Sequence, residues 1–230
     1  MLQLDRLCLR LGDFTLSAHW SLPPGARAAI IGPSGAGKST LLHAIAGFLA
    51  PASGCILWQG SDLAPVPPGD RPASILFQDQ NLFPHLTVAQ NVGLGLSPAL
   101  RLTEADRDRV EAVLNRVGLE GMGGRRPAEL SGGQQSRVAL ARALLRARPM
   151  LLLDEPFAAL GPALRIEMLD LVGRIADETG ALVLLVTHDP AEARRFAPLT
   201  VVVAAGIAAP PVPTVPLLDD PPPVLRAYLG

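Results

Sequence analysis

The chain has 230 residues, 49% of them apolar and 18% charged, with a formal net charge of −1. That length and apolar content can bury a real core, and a charged fraction under the usual ~25% argues against a long disordered chain. Without excess positive charge there is no overall electrostatic reason to coat nucleic acid or an anionic membrane, and no nucleic-acid partner is expected. Residues 2–10 and 14–22 read as two strands around a Gly12–Asp13 turn. Asp5, Arg6 and Arg10 stand where a signal peptide would need an apolar stretch. Residues 26–31 form a short apolar strand, followed by a Gly-rich turn and a helix with Leu41, Leu42, Ile45 and Leu49 on one face. CILWQG and SILFQ read as strands separated by a Pro/Gly loop at 64–72. From about 87 to 148 the periodicity is helical, in several pieces. Strands return at 150–155 and 181–188, with a helix at 164–178 between them, so the outer parts predict βαβ units and a parallel sheet. The helical block predicts an inserted subdomain. The Pro-rich tail, 206–230, predicts an extended segment ending in a short helix at 223–229. Two cysteines, Cys8 and Cys55, lack metal-ligand spacing and predict reduced thiols in a cytosolic protein. No apolar run approaches the ~18 residues of a membrane span.

Three motifs carry chemistry. Gly32-Pro33-Ser34-Gly35-Ala36-Gly37-Lys38-Ser39-Thr40 fits the phosphate-binding loop G-x-x-x-x-G-K-[ST]. Its glycines let successive N–H groups face one cavity, and the following helix adds the positive end of its dipole. Lys38 is expected to neutralise phosphates and Ser39 to offer a hydroxyl to Mg²⁺. Of the 20 lysines and arginines, all but Lys38 are arginine. A compact ammonium is kept where a phosphate cradle needs one, and the planar guanidinium is used everywhere else. The second motif, Met150–Glu155, is four apolar residues and then two carboxylates. It places Asp154 and Glu155 at the C-terminal end of a buried strand, where open α/β sheets bind ligands. Asp154 is expected to organise Mg²⁺, and Glu155 to polarise an attacking water as general base. The third motif is Leu130-Ser131-Gly132-Gly133-Gln134 at a helix start. Ser131 would serve as an ordinary N-cap. Two adjacent glycines at a helix start cost stability, and the close approach of an anionic ligand explains them better.

These motifs, in this order and spacing, make the chain resemble an ATP-binding cassette ATPase, the nucleotide-binding subunit of a transporter, over about residues 2–205. The resemblance implies an α/β fold: a P-loop NTPase (RecA-like) core with an N-terminal antiparallel β-subdomain and an inserted α-helical subdomain. The corresponding bounds are 1–86 and 149–205 for the core, 87–148 for the helical part and 206–230 for the tail. It implies ATP and Mg²⁺ as ligands. It makes Gln78 the glutamine that senses Mg²⁺ and faces the membrane partner, and His188 the histidine that contacts the γ-phosphate. It also implies a homodimer in which Ser131–Gln134 of one subunit completes the phosphate-loop site of the other. Further implications are a membrane permease, a periplasmic solute-binding protein reached through it, and a peripheral position on the cytoplasmic face of the bacterial inner membrane.

Finer stretches, HAIAGFLAPASG, RPASILFQDQNLFPHLTVAQNVGLGL and LLLDEPFAALGPALR, are similar to the short ATPase subunit of bacterial thiamine importers. Iron, polyamine and other small-solute importers share parts of them. Two positions depart from the family. Leu11 stands where an aromatic residue usually stacks on adenine, with Phe14 nearby. Ala158-Ala159-Leu160-Gly161 replaces the usual S-A-L-D, which removes a hydroxyl and an acid that link the two ATP sites in the family. The alternative to a hydrolysing importer subunit is therefore an ATP-binding regulatory cassette with weak hydrolysis. A DNA-repair relative would need a coiled-coil or zinc insertion, and a P-loop kinase would leave LSGGQ unexplained.

Overall fold

The computed structural model describes residues 1–79 and 81–229. In chain order its elements are β1 (Leu2–Leu11), β2 (Phe14–Leu22), β3 (Arg27–Ile31), α1 (Lys38–Ala46), β4 (Ser53–Trp58), β5 (Ser61–Asp62), β6 (Ala73–Leu76), α2 (Val88–Gly93), α3 (Glu104–Arg116), α4 (Gly132–Leu145), β7 (Met150–Asp154), α5 (Pro162–Thr179), β8 (Leu182–Val186), α6 (Pro190–Phe196), β9 (Leu199–Ala204), β10 (Ile207–Ala208), β11 (Val212–Pro213), α7 (Thr214–Asp219) and α8 (Pro223–Leu229). They form two units: Met1–Ala73 with Pro149–Glu155 and Gly173–Gly230, and Ser74–Arg148 with Pro156–Val172.

In the first unit the strand order is β5-β4-β1-β2-β10-β9-β3-β8-β7, with β11 on β9. β9, β3, β8 and β7 are parallel, and every residue of β7 and β8 is buried. Unbroken apolar runs are what a parallel sheet covered on both faces demands. β1, β2 and β4 are antiparallel. Leu2, Leu4, Leu7 and Leu9 of β1 all face inward, although the step from Leu4 to Leu7 breaks a strict period of two. A β-bulge absorbs the extra residue: the register shifts there, and Arg6 takes the positive φ of 45°. The short β10 pairs antiparallel with β9 and parallel with β2, joining the two kinds of sheet. Leu41, Leu42 and Ile45 of α1 are fully buried, and α1 packs on β7 and β8. Arg71 is only 3% exposed. Its guanidinium donates to the Ala44 and Ile45 carbonyls at the end of α1, and to Leu63 and Val66.

The second unit has a core of Val88, Val92, Val110, Val113, Leu114, Val117, Leu119, Leu130, Val138, Ala141 and Leu145. Thr87, Thr103 and Ser131 start α2, α3 and α4 with reciprocal capping boxes. Fully buried Asn91 accepts from Phe83 N and donates to the Phe83, Leu86 and Thr87 carbonyls. That ties the loop before α2 to the helix. The first half of α5 is tied to this unit through an ion pair of Glu167 with Arg137 at 2.6 Å and the packing of Leu171 on this core. The tail ends in α8 (Pro223–Leu229) as expected, but the part before it, expected to be extended, contains β10, β11 and α7. Thr214 is buried, its hydroxyl 2.8 Å from that of Thr200.

Candidate nucleotide-binding site

β3 delivers the chain into the loop 32–37. Gly32 has φ 147°, and a Cβ there would lie 2.0 Å from the Val203 carbonyl oxygen of β9. The loop therefore hugs the sheet only because residue 32 has no side chain. Gly37, at φ 102°, opens α1 without a side-chain cap. The amides of the first turn are left for an anion. A Cβ on Gly37 would meet the Phe14 ring at 2.6 Å. Ala36 N donates to Pro33 O within the loop.

Lys38 is buried, and its ammonium reaches back over the loop to donate to Gly32 O at 2.8 Å and Pro33 O at 2.9 Å. Those bonds use two of its three protons. Burial holds its pKa below the ordinary lysine value, and Glu155 and Asp154 oppose that shift. Ser39 Oγ donates to Asp154 Oδ1 at 2.8 Å. The other carboxylate oxygen of Asp154 is 3.5 Å from His43 Nε2. Burial pushes the Asp154 carboxyl above the usual range, while the bond from Ser39 and the charge of His43 pull it down.

Glu155 sits one residue past β7 with φ 46°, a left-handed conformation uncommon outside glycine. Its amide donates to Val186 O, and its Oε2 is 3.2 Å from His188 Nδ1. His188 follows β8 on a turn built by buried Thr187, whose hydroxyl bonds Glu192 and accepts from Asp189 N. Asp189 in turn caps α6. A cavity of about 510 Å³ is lined by Leu11, Phe14, Ser34, Gly35, Gly37, Lys38, Ser39, Thr40 and Glu155. That volume lies in the range of small-molecule sites.

The structure therefore brings the phosphate loop, Asp154, Glu155 and His188 together. Gln78 is exposed, two residues beyond the end of β6, and lies in the second unit, as do Ser131–Gln134. There Ser131 Oγ accepts from Gln134 N while Gln134 Oε1 accepts from Ser131 N. A Cβ on Gly133 would lie 2.2 Å from Leu164 Cδ2, so the Leu164 side chain packs directly against this glycine. Gly132 meets nothing and keeps an open face. The sequence reading missed His43, though a signal existed: it lies one helical turn after Ser39, and both side chains reach the same carboxylate.

The donor set suits a hard cation. A hydroxyl and a carboxylate are the oxygen ligands Mg²⁺ takes, with phosphate oxygens supplying the rest. Among the described residues no cluster of three or more His, Cys, Asp or Glu is placed to hold a metal. A cation would also offset the cost of burying Asp154.

A family model described as ABC transporter matches residues 16–158. The chain is 68% identical to the thiamine import ATP-binding protein ThiQ of Cereibacter sphaeroides over 230 residues, covering 100% of both chains. It is 57% identical to the protein of that name from Ruegeria sp., with the same coverage. Among solved structures it resembles the dimeric ATP-binding cassette MJ0796 in a post-hydrolysis state with ADP and Pi, at TM-score 0.80 and 29% identity, covering 93% of this chain and 99% of that one.

Proposed function

This chain belongs to the ABC transporter family, and on that premise we propose that it is the ATP-hydrolysing subunit of a thiamine importer, with Glu155 as its general base. The ATPase class follows from the family. The solute reading is supported by identity along the whole length to proteins named for thiamine import. The observation that carries the chemistry is the convergence, in one unit, of Lys38 on the loop carbonyls, Ser39 on Asp154 and His188 on Glu155.

In this reading the first-turn amides of α1 and the Lys38 ammonium take the β- and γ-phosphates. Ser39 and Asp154 would hold Mg²⁺. When bound, Mg²⁺ supplies charge neutralisation between the phosphates. Glu155 accepts the proton of the attacking water. His188, hydrogen-bonded to that carboxylate, orients it and contacts the γ-phosphate. The cavity wall formed by Leu11 and Phe14 supports the adenine. Two copies close head to tail, so that Ser131, Gly132, Gly133 and Gln134 of one complete the site of the other; the cassette MJ0796 is likewise dimeric. The dimer works beneath a membrane permease that receives thiamine from a periplasmic binding protein. The chain sits at the cytoplasmic face as a peripheral subunit. None of its described helices is long and apolar enough to cross a membrane.

The test is Glu155→Gln in the chain assembled with its permease. ATP binding persists, turnover nearly stops, and the closed dimer accumulates with ATP. Near-normal turnover removes Glu155 from the role of base. Thiamine, and not ferric iron or a polyamine, stimulates the wild-type assembly in the presence of its binding protein. Stimulation by another solute alone overturns the solute reading.

A further inference from the structure

Glu155 combines two demands. It occupies a left-handed backbone conformation, φ 46°, which a residue other than glycine keeps only where the surroundings impose it. It also precedes Pro156, and a residue before proline is already restricted in φ and ψ. On its N-terminal side the conformation is held by the β7–β8 ladder and by its own amide on Val186 O. On its C-terminal side the chain continues as Pro156-Phe157-Ala158-Ala159-Leu160-Gly161, six residues without one polar side chain. This loop cannot brace itself through side-chain hydrogen bonds, and its proline has no N–H to contribute.

The bracing arrives from one turn into α5. Arg165 Nη2 donates to Ala158 O at 3.0 Å and Leu160 O at 3.2 Å. Its own amide donates to Gly161 O at 3.0 Å, and Leu160 N closes a turn on Phe157 O. Phe157 and Leu160 are buried at 3% and 7%, so the loop is also pinned by its apolar residues. Gly161 is outside the left-handed region, and a Cβ there would meet nothing within 4 Å.

We propose that Arg165 is a positioning residue for Glu155: its guanidinium braces the loop 156–161 through two main-chain carbonyls, and so fixes the backbone from which the carboxylate projects. It replaces, with main-chain contacts, the order that polar side chains would otherwise give this loop. A planar donor group suits the task because one of its nitrogens can reach two carbonyls. The proposal rests on the reading of Glu155 as general base.

The experiment compares Arg165→Ala, Arg165→Gln and Arg165→Lys with Glu155→Gln, each assembled with the permease. Steady-state kcat and KM for ATP, equilibrium ATP affinity and Tm are measured. Arg165→Ala lowers kcat about tenfold, because a small misplacement of a catalytic group costs one to two orders of magnitude. ATP affinity stays at the wild-type value, so the loss falls on kcat and not on KM. Arg165→Lys, still a cation within reach of the carbonyls, recovers part of the rate, and Arg165→Gln recovers less. A silent Arg165→Ala beside an inactive Glu155→Gln overturns the positioning role while leaving the base intact. An active Glu155→Gln overturns the underlying reading instead. A loss of kcat matched by equal losses of ATP affinity and Tm in all three Arg165 variants, or failure of all three to fold, makes Arg165 a structural strut and ends the proposal.

Discussion

Removing the Arg71 side chain tests whether the site is held from behind. This guanidinium is 3% exposed and donates to four carbonyls, two at the C-terminal end of α1 and two in the loop before β6. A cation at a helix C-terminus also opposes the negative end of its dipole. Burial lowers the pKa of Arg71, with Asp62 opposing that shift. In Arg71→Ala each carbonyl that loses its donor costs about 1–3 kcal/mol if water cannot replace it. Water entering the vacated volume will satisfy some of the four, so the net loss should be about 3–5 kcal/mol, the size found when a buried charged partner is removed. For a chain of this length that is a fall in Tm of roughly 6–20 °C. Arg71→Lys keeps the charge but cannot spread over four acceptors, and should recover about half of the loss. Thermal denaturation of the isolated chain, checked by urea titration at constant slope, reads both effects. A fall of less than roughly 2 °C in Arg71→Ala would show that these bonds exchange freely with water and that α1 is anchored by its apolar face alone.

Asp154→Asn should raise the Tm of the nucleotide-free chain at pH 7 while abolishing Mg²⁺-dependent turnover. Burial raises this carboxyl's pKa on folding, so its ionisation costs stability, and the cost appears as pH rises from the unfolded pKa through the folded one. The gap between variant and wild type should close as pH is lowered through that window, and a variant less stable at pH 7 contradicts the assignment. Lys38→Ala should lose ATP affinity, read by equilibrium nucleotide binding; unchanged affinity would remove the phosphate-loop assignment. Phe83→Glu should fold and bind ATP normally but fail to assemble with the permease, because Phe83 is 46% exposed at the tip of the loop that Asn91 fixes; co-purification decides it, and misfolding would make the residue core. Gly161→Asp with Ala158→Ser should leave Tm unchanged, since residue 161 has open space and ordinary φ. The pair should raise the cooperativity of ATP hydrolysis in the assembled transporter, and a wild-type Hill coefficient already near two, as two coupled sites allow, with no change on substitution, refutes this.

The residues legible in the sequence are those whose chemistry depends on spacing along the chain. Lys38 and Ser39 follow a Gly-rich turn, Asp154 and Glu155 end an apolar strand, and each strand and helix in those segments has its own periodicity. What stayed hidden depends on segments meeting in space. Arg71 looked like one more loop arginine until folding placed it under α1. The Gly133 packing needs Leu164, from the far side of β7 in sequence. The Pro-rich tail carried composition but no pairing information, and its short strands form because β9 offers them an edge. Leu82, in the short loop before α2, packs on the helical core through a contact that local hydropathy does not encode.

The use of a lone lysine has a chemical consequence. An acylating reagent meets two amines on this polypeptide, the α-amino group of half-exposed Met1 and Nζ of Lys38. The second is buried and engaged by two loop carbonyls, in the space where phosphates are to lie. Covalent capture of that nitrogen therefore reports whether the cradle is filled, with no label on the nucleotide, and the mass of the intact chain gives the occupancy directly. Any lysine-acylating activity would find one lysine in this sequence, and a single acyl transfer to it would neutralise the cation proposed above to take phosphate.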